Sequence, residues 1–302
     1  MGKDEAHAQR ISYALVEMEK PLVSVVMPIH ECNPTFLEKS VESVLEQTLT
    51  NLELLLIVDV PHWSFGKPML SVLEKFENDE RLRTIVNKRQ GFVEALNVGI
   101  SAARGKYIAR MDGDDISLPN RLELQVVAVE QMHLDLVGGW AYVINEQGSK
   151  VGQLTPPTDA RSIRRTIMLH NPFLHSTVLF KKSILQASGL YNPSLFGAED
   201  YDLWLRLVSM GCACANLPNY VVLLRETSNS IMRGKKWKTT RANYAKAKAL
   251  GLALHGYYDP LSVTFCFVGP FSLLIGPKMA SNLKHLFKWS GQTSPNSWLP
   301  RK

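Results

Sequence analysis

The sequence predicts an α/β fold with a mostly parallel sheet and helices on both faces, and three observations carry that expectation. Short apolar, β-branched runs alternate with amphipathic segments from residue 23 to residue 111. Helix punctuation falls between them, with Asn33-Pro34 at one start and Gly105 after one end. Asp59 and Asp112 stand directly behind two of the runs, and open α/β sheets bind ligands beyond the carboxyl ends of their strands.

Element by element, residues 23–29 (V-S-V-V-M-P-I) read as a strand, and Asn33-Pro34 caps a helix over 35–48 with Leu37, Val41, Val44 and Leu45 on one face. A second strand spans 52–58 and ends at Asp59. Residues 69–76 read as its helix, 83–86 as a third strand, 93–103 as a helix and 106–111 as a fourth strand. From Leu134 the pattern is more mixed: a strand over 135–143, a turn at Gly148, a helix over 161–168, a strand over 176–180 and a helix over 181–187.

A chain of 302 residues with 45% hydrophobic and 21% charged residues can bury a full core and is neither disordered nor polytopic. The formal net charge of +6 is mild; it suits anionic substrates and does not call for nucleic acid. Of the four cysteines only Cys212 and Cys214 are close, in a C-x-C that matches no zinc or redox spacing, so they read as packing residues. The start M-G-K-D-E-A-H lacks a basic-then-apolar signal, and Ala6 stands where a myristoylation signal wants Ser or Thr. A cytoplasmic setting is the expectation.

Residues 111–115 (M-D-G-D-D) are the chemical centre. Asp112, Asp114 and Asp115 crowd together after an apolar strand, where repulsion is costly unless a cation sits among them. Hard ions such as Mg²⁺ or Mn²⁺ take oxygen ligands and keep positions for substrate phosphates. The same D-x-D spacing also suits a solvated Asp-Gly turn ahead of a helix starting near Pro119, and context has to decide.

That context is the stretch 91–125, with Gly91, Asn97 and Gly99 in spacing, the G-x-Y-I strand, D-x-D-D, and P-x-R-L-E-x-Q behind it, together with the opening V-S-V-V-M-P. It continues through 171–181 (N-P-F-L-H-S-T-V-L-F-K) and 189–207, which holds G-A-E-D-Y-D-L-W-L-R-L. Over residues 22 to 230 the chain resembles glycosyltransferase family 2. The resemblance implies a GT-A fold that binds a nucleotide sugar, with a donor half over about 21–118 and an acceptor half over about 119–230. It implies inverting transfer of one sugar from a UDP-, dTDP- or GDP-linked donor to a glycan or lipid-linked acceptor in bacterial surface-polysaccharide synthesis. By the same resemblance Asp200 is the base with Glu199 beside it. Asp114 and Asp112 hold Mn²⁺ or Mg²⁺, and Pro28, Ile29, His30, Glu31, Asp59, Gly91, Asn97, Arg110, Asp112, Gly113 and Asp114 line the donor site.

Several positions depart from the family pattern. Asp59-Val60-Pro61 stands where the family commonly has an aspartate pair, which leaves the nucleotide base open, and His30-Glu31 replaces an aromatic and Asn. Pro28, Ile29 and His30 can still meet the nucleotide through their backbone. No Q-x-x-R-W motif of the processive synthases occurs, and Arg225 with Ser228–Ser230 suits either a closure over the diphosphate or a surface loop.

Residues 1–20 read as a polar leader and 231–302 as a helical C-terminal region. Within the latter, 261–276 is apolar but broken by Gly269-Pro270, whereas a spanning helix needs roughly 20 residues. Lys278, Lys284, His285 and Lys288 follow, interleaved with Phe287 and Trp289, so 261–289 suits either a peripheral membrane contact or a core-packing tail. Two rival readings stand beside the main one: a haloacid-dehalogenase-like phosphatase, which Ile116 fits poorly, and a donor-binding subunit without catalysis.

Overall fold

The computed structural model describes residues 20–29, 32–58, 66–88, 91–227 and 237–256. The polar leader and the stretch 261–289 lie outside the described residues, as do His30, Glu31, Asp59 and Ser228–Ser230.

The alternating half forms as its pattern predicts: β1 (Val23–Ile29), α1 (Pro34–Leu45), β2 (Leu52–Val58), α2 (Gly66–Lys75), β3 (Leu82–Val86), α3 (Phe92–Ala102) and β4 (Tyr107–Arg110). Asn33 caps α1, its side chain accepting from the Thr35 N–H at 2.9 Å, and Pro34 opens the helix. The second half adds β5 (Ile116–Ser117), α4 (Arg121–Gln131), β6 (Leu136–Ile144), β7 (Lys150–Leu154), α5 (Ala160–Thr166), β8 (Leu179–Lys181), α6 (Lys182–Ser188), α7 (Glu199–Ser209), β9 (Cys214–Arg225) and α8 (Trp237–His255).

One sheet runs β3-β2-β1-β4-β8-β6-β9-β5, with β7 on β6. Its first four strands are parallel, with β1 between β2 and β4, so their carboxyl ends share one edge. Strand β8 then runs antiparallel to β4 and β6, and β9 pairs parallel with β6. The strand expected over 176–180 is half 3-10 turn: His175–Thr177 coils before β8, because this turn carries side chains to the end of β4.

Side-chain alternation along β1 splits the core in two. Val23, Val25, Met27 and Ile29 pack with Leu37 and Val41 of α1 and Leu122 and Val126 of α4. Val26 faces the other way, with Leu55 and Ile57, against Leu96 and Ile100 of α3 and against Tyr201, Trp204 and Leu205 of α7. The free thiols Cys212 and Cys214 are buried, and burial pushes their pKa values up, which agrees with packing roles. Among the described residues no helix is long and apolar enough to cross a membrane.

At the opposite edge from the Asp112 turn, Glu53 ties β2 to β1 and to the α3–β4 loop, accepting from Ser24 Oγ and the Arg104 N–H, each at 2.6 Å. Gly105 passes so close that an added Cβ would lie 2.6 Å from the Ser24 main-chain nitrogen. A backbone neighbour cannot swing aside as a side chain tip can. Gly105→Ala should therefore cost about 1–3 kcal/mol of stability, read from the midpoint of urea unfolding at an unchanged slope.

Candidate active site

Strand β4 delivers the first acidic group. Arg110, at its end, is 3% exposed and forks both terminal nitrogens onto the Asp112 carboxylate. Ser176, from the turn before β8, completes a triangle: its hydroxyl accepts from Arg110 Nη1 at 2.9 Å and donates to Asp112 at 2.7 Å. Beneath the pair lies the P-x-R-L-E-x-Q segment. Arg121 donates to the Arg110 carbonyl at 2.8 Å and to Gln125 at 3.1 Å, and Gln125 donates to the Thr177 carbonyl at 2.6 Å. Burial pulls the Arg121 pKa down to about 9, which still leaves it charged at neutral pH.

The turn after Asp112 is braced from three sides. Ser40 of α1 donates to the Asp112 carbonyl at 2.9 Å. Gly113 lies against Ile29 and Leu37, where an added Cβ would be 3.0 Å from Ile29. From β9, Arg225 donates through Nε to the Asp114 carbonyl at 2.8 Å and through its main-chain N–H to the Asp115 carboxylate at 2.7 Å. Its Nη1 reaches the Asn145 carbonyl at 3.0 Å, and its guanidinium lies 4.2 Å from the Phe36 ring centre. Arg225 is thus buried behind the turn with Nε and Nη1 committed to backbone carbonyls.

These braces hold Asp112, Asp114 and Asp115 with ligand oxygens within 4.8 Å of one another. Burial, and then the neighbouring Asp112, push the Asp114 carboxyl up to about 6. Asp115 is raised well above the carboxylate range by burial and by both neighbours. Asp114 bonds Arg225 through its carbonyl, not its carboxylate, whereas Asp115 spends a carboxylate oxygen on Arg225. Clustered oxygen donors whose ionisation is mutually opposed fit a hard divalent cation, which would relieve that repulsion.

The second acidic group opens α7. Glu199 is 5% exposed and accepts from the Gly197 N–H; Gly197 holds φ +81°, a turn natural to glycine. Asp200 is half-buried, with Oδ1 accepting from the Tyr201 N–H and Oδ2 from Asn171 Nδ2, both at 2.7 Å. Burial and then Asp200 push Glu199 up to about 7. Burial also raises Asp200, opposed by the Tyr201 and Asn171 hydrogen bonds and by the charge of Arg110. Arg110 likewise lowers Asp114 and Glu199, so one buried cation acts on both acidic groups.

A sequence model described as "Glycosyl transferase family 2" matches residues 24–187, more than half of the chain. The chain belongs to that family. The amylovoran biosynthesis glycosyltransferase AmsE of Erwinia amylovora is 32% identical over 71% of this chain and 78% of that protein. The O-antigen biosynthesis glycosyltransferase WbnJ of Escherichia coli is 32% identical over 65% of this chain and 74% of its own. Among solved structures, S. aureus TarS 1-349 in complex with UDP-GlcNAc superposes with a TM-score of 0.65 at 16% identity, covering 87% of this chain and 75% of that one. The mannosyltransferase PcManGT from Pyrobaculum calidifontis, in complex with GDP-Man and Mn²⁺, gives 0.57 at 15% identity, covering 89% and 80%. At such identities the likeness is one of fold, and the GT-A architecture expected from sequence is the one observed. A phosphatase is not what a family 2 chain of this fold is.

In this family 2 site the remaining expected residues take different places. Pro28 and Ile29 are buried at the carboxyl end of β1, opposite Ile57 and Val58. Gly91 precedes α3 with φ +121°. Asn97 spends its amide on the Tyr191 backbone, donating at 2.9 Å and accepting at 3.0 Å, so it fixes the chain before α7. Three contributors had no role assigned from sequence: Ser176, Asn171 and the Arg121–Gln125 pair. All sit in motif stretches noted for their resemblance, where residue type alone does not say what is touched.

Arg225→Ala would strand the Asp114, Asn145 and Glu146 carbonyls and remove the packing on Phe36. A loss of about 2 kcal/mol or more in urea unfolding is expected. Arg225→Lys, which keeps charge without the fork, should recover only part of it.

Proposed function

We propose that the chain transfers a single sugar, with inversion, from a nucleotide-sugar donor to an acceptor hydroxyl, using Mn²⁺ or Mg²⁺ held by Asp114 and Asp112. The observation that carries this reading is the pairing of two acidic groups in different environments about one buried arginine. The group at 112–115 has three clustered carboxylates, whereas the group at 199–200 pairs a buried Glu199 with a half-buried Asp200 at a helix start. Such a split assigns one group to charge binding and the other to proton transfer.

Asp200 accepts the proton of the acceptor hydroxyl as that oxygen bonds to the anomeric carbon; the bond from that carbon to the diphosphate oxygen breaks, and the nucleoside diphosphate leaves. General-base help of this kind is typically worth about 10²–10⁴-fold. The hydrogen bonds from Asn171 and the Tyr201 N–H favour the ionised form of Asp200 and oppose the rise that burial causes, and Glu199 beside it is pushed up to about 7 by burial and by Asp200. Asp114 and Asp112 would hold the divalent ion, which when bound would supply positive charge to the departing diphosphate. Arg110 holds Asp112 and, with it, the turn that presents Asp114.

UDP-, dTDP- and GDP-sugars are the candidate donors; the UDP-GlcNAc and GDP-Man complexes of the structural neighbours support that class. The names of AmsE and WbnJ support a glycan or lipid-linked acceptor in surface-polysaccharide synthesis. The setting proposed is the cytoplasmic face of a membrane, with 261–289 as a peripheral contact; the apolar run and the basic residues behind it support this.

The test is release of nucleoside diphosphate from a panel of these donors with Mn²⁺ or with EDTA. One donor should be consumed in the metal arm, with Asp114→Ala abolishing metal-dependent donor binding and Asp200→Asn binding donor normally but turning over at least 100-fold more slowly. Normal turnover by Asp200→Asn would remove Asp200 as the base, and metal-independent binding of every donor would remove the metal.

Because Asp114 is held near 6, ion binding must displace its proton below that pH. Mn²⁺ affinity by calorimetry should fall by up to about tenfold per pH unit between pH 6 and pH 5, and flatten above pH 7. A flat profile down to pH 5 would contradict Asp114 as a ligand.

A further inference from the structure

We propose that Asn171 and Tyr244 are positioning residues for the Asp200 carboxylate, so that α8, which lies outside the stretch matched by the family, forms the back wall of the base. The inference rests on the reading of Asp200 as base.

Helix α8 meets the α7 region along one face. Thr240 is 1% exposed and sits against Gly197, where an added Cβ would fall 2.6 Å from its hydroxyl oxygen. Asn243 donates to the Phe196 carbonyl at 2.9 Å. The Tyr244 ring stacks on Tyr201, centroids 5.0 Å apart with 23° between planes, and Ala247 enters the core. Positions 240, 243, 244 and 247 are one helical stripe. This stripe grips the segment 196–201 that presents the acid pair.

Asn171 meets the base directly. Its Oδ1 accepts from the Phe173 N–H at 3.1 Å, which sets the amide so that Nδ2 faces outward. From there it donates to Asp200 Oδ2 at 2.7 Å, while Tyr244 reaches the other oxygen through Tyr201, on whose ring it stacks and whose N–H donates to Asp200 Oδ1 at 2.7 Å. Tyr244 is pushed well above the ordinary tyrosine range by burial and then by Asp200, and so stays a neutral anchor. The charged and titratable groups facing Asp200 are Glu199 from its own helix, Arg110 from β4, Tyr191 from the segment before α7, and Tyr244 from α8.

A donor to an ionised carboxylate favours the ionised form, so its removal raises the carboxyl pKa. The full-length protein with Mg²⁺ is used for two readouts: the acid limb of the kcat–pH profile, and the titration of the Asp200 carboxyl carbon by NMR, assigned with Asp200→Asn. Asn171→Ala should move both upward by about one pH unit with KM for donor unchanged, and Tyr244→Leu, which removes the ring stacked on Tyr201, should move both in the same direction by less. An unmoved titration in both variants, or an equal loss of rate at every pH, overturns the proposal. The NMR titration does not need turnover: a protein that consumes no donor but shows the shift defeats the base reading and keeps the positioning. Should Asn171→Ala not fold, as read by circular dichroism, Tyr244→Leu and Asn171→Ser decide the matter.

Discussion

The site depends on the buried ion pair between Arg110 and Asp112. Taking a guanidinium out of water costs several kcal/mol, and only a fork onto a carboxylate with the remaining groups bonded offsets it. The protein meets most of that demand with Asp112 two residues on, Ser176 bridging the pair, and Arg121 holding the Arg110 carbonyl, and leaves Arg110 Nε buried without a partner. Once made, the pair sets everything around it. It fixes where the chain turns after β4 and so where Asp114 stands. It also places a positive charge that lowers Asp114, Glu199 and Asp200 together. Two acidic groups far apart in sequence share one electrostatic centre.

Much of this was legible in the sequence wherever the determinant was local. Strand and helix alternation, the Asn33-Pro34 cap and Gly105 follow from neighbours in the chain, and those elements match to within a few residues. So does the Asp112–Asp115 cluster, since a carboxylate run after an apolar strand is crowded in any fold of this class. What was not legible is long-range. Strand β9 begins at Cys214 and pairs parallel with β6, and nothing in 214–225, with Pro218 and Asn219 in its middle, carries a clean two-residue alternation. Its register shifts beside Gly139 and Trp140 because the chain bulges there, a tertiary accommodation that no local pattern records.

Arg225 shows the same limit in one side chain. Read from sequence, an arginine beside a polar loop suits a diphosphate, since a basic group near a phosphate site is sound chemistry. In the fold its position at the end of β9, opposite Ile144, turns the guanidinium inward over Phe36 and onto carbonyls. Residue type fixed the kind of interaction, a forked donor to oxygens; topology chose the oxygens. Asn97 follows suit, its amide closing on the Tyr191 backbone across 94 positions.

The acid pair balances opposing terms, and the balance explains why it sits where it does. Burial alone favours the neutral form of both carboxyls. A helix start supplies N–H groups and the positive end of the macrodipole, yet that effect fades within the first turn and cannot by itself hold two adjacent charges. The structure divides the work: Glu199 turns back to the Gly197 N–H and rises to about 7, while Asp200 receives the Tyr201 N–H, the Asn171 amide and the field of Arg110. Of these only the Tyr201 N–H is local to α7. The groups that favour the ionised form of Asp200 thus come largely from β4 and from the loop before β8. The more a carboxylate is sheltered from water, the more its charge depends on distant parts of the chain, and the proton affinity of this acid pair is therefore a property of the whole fold.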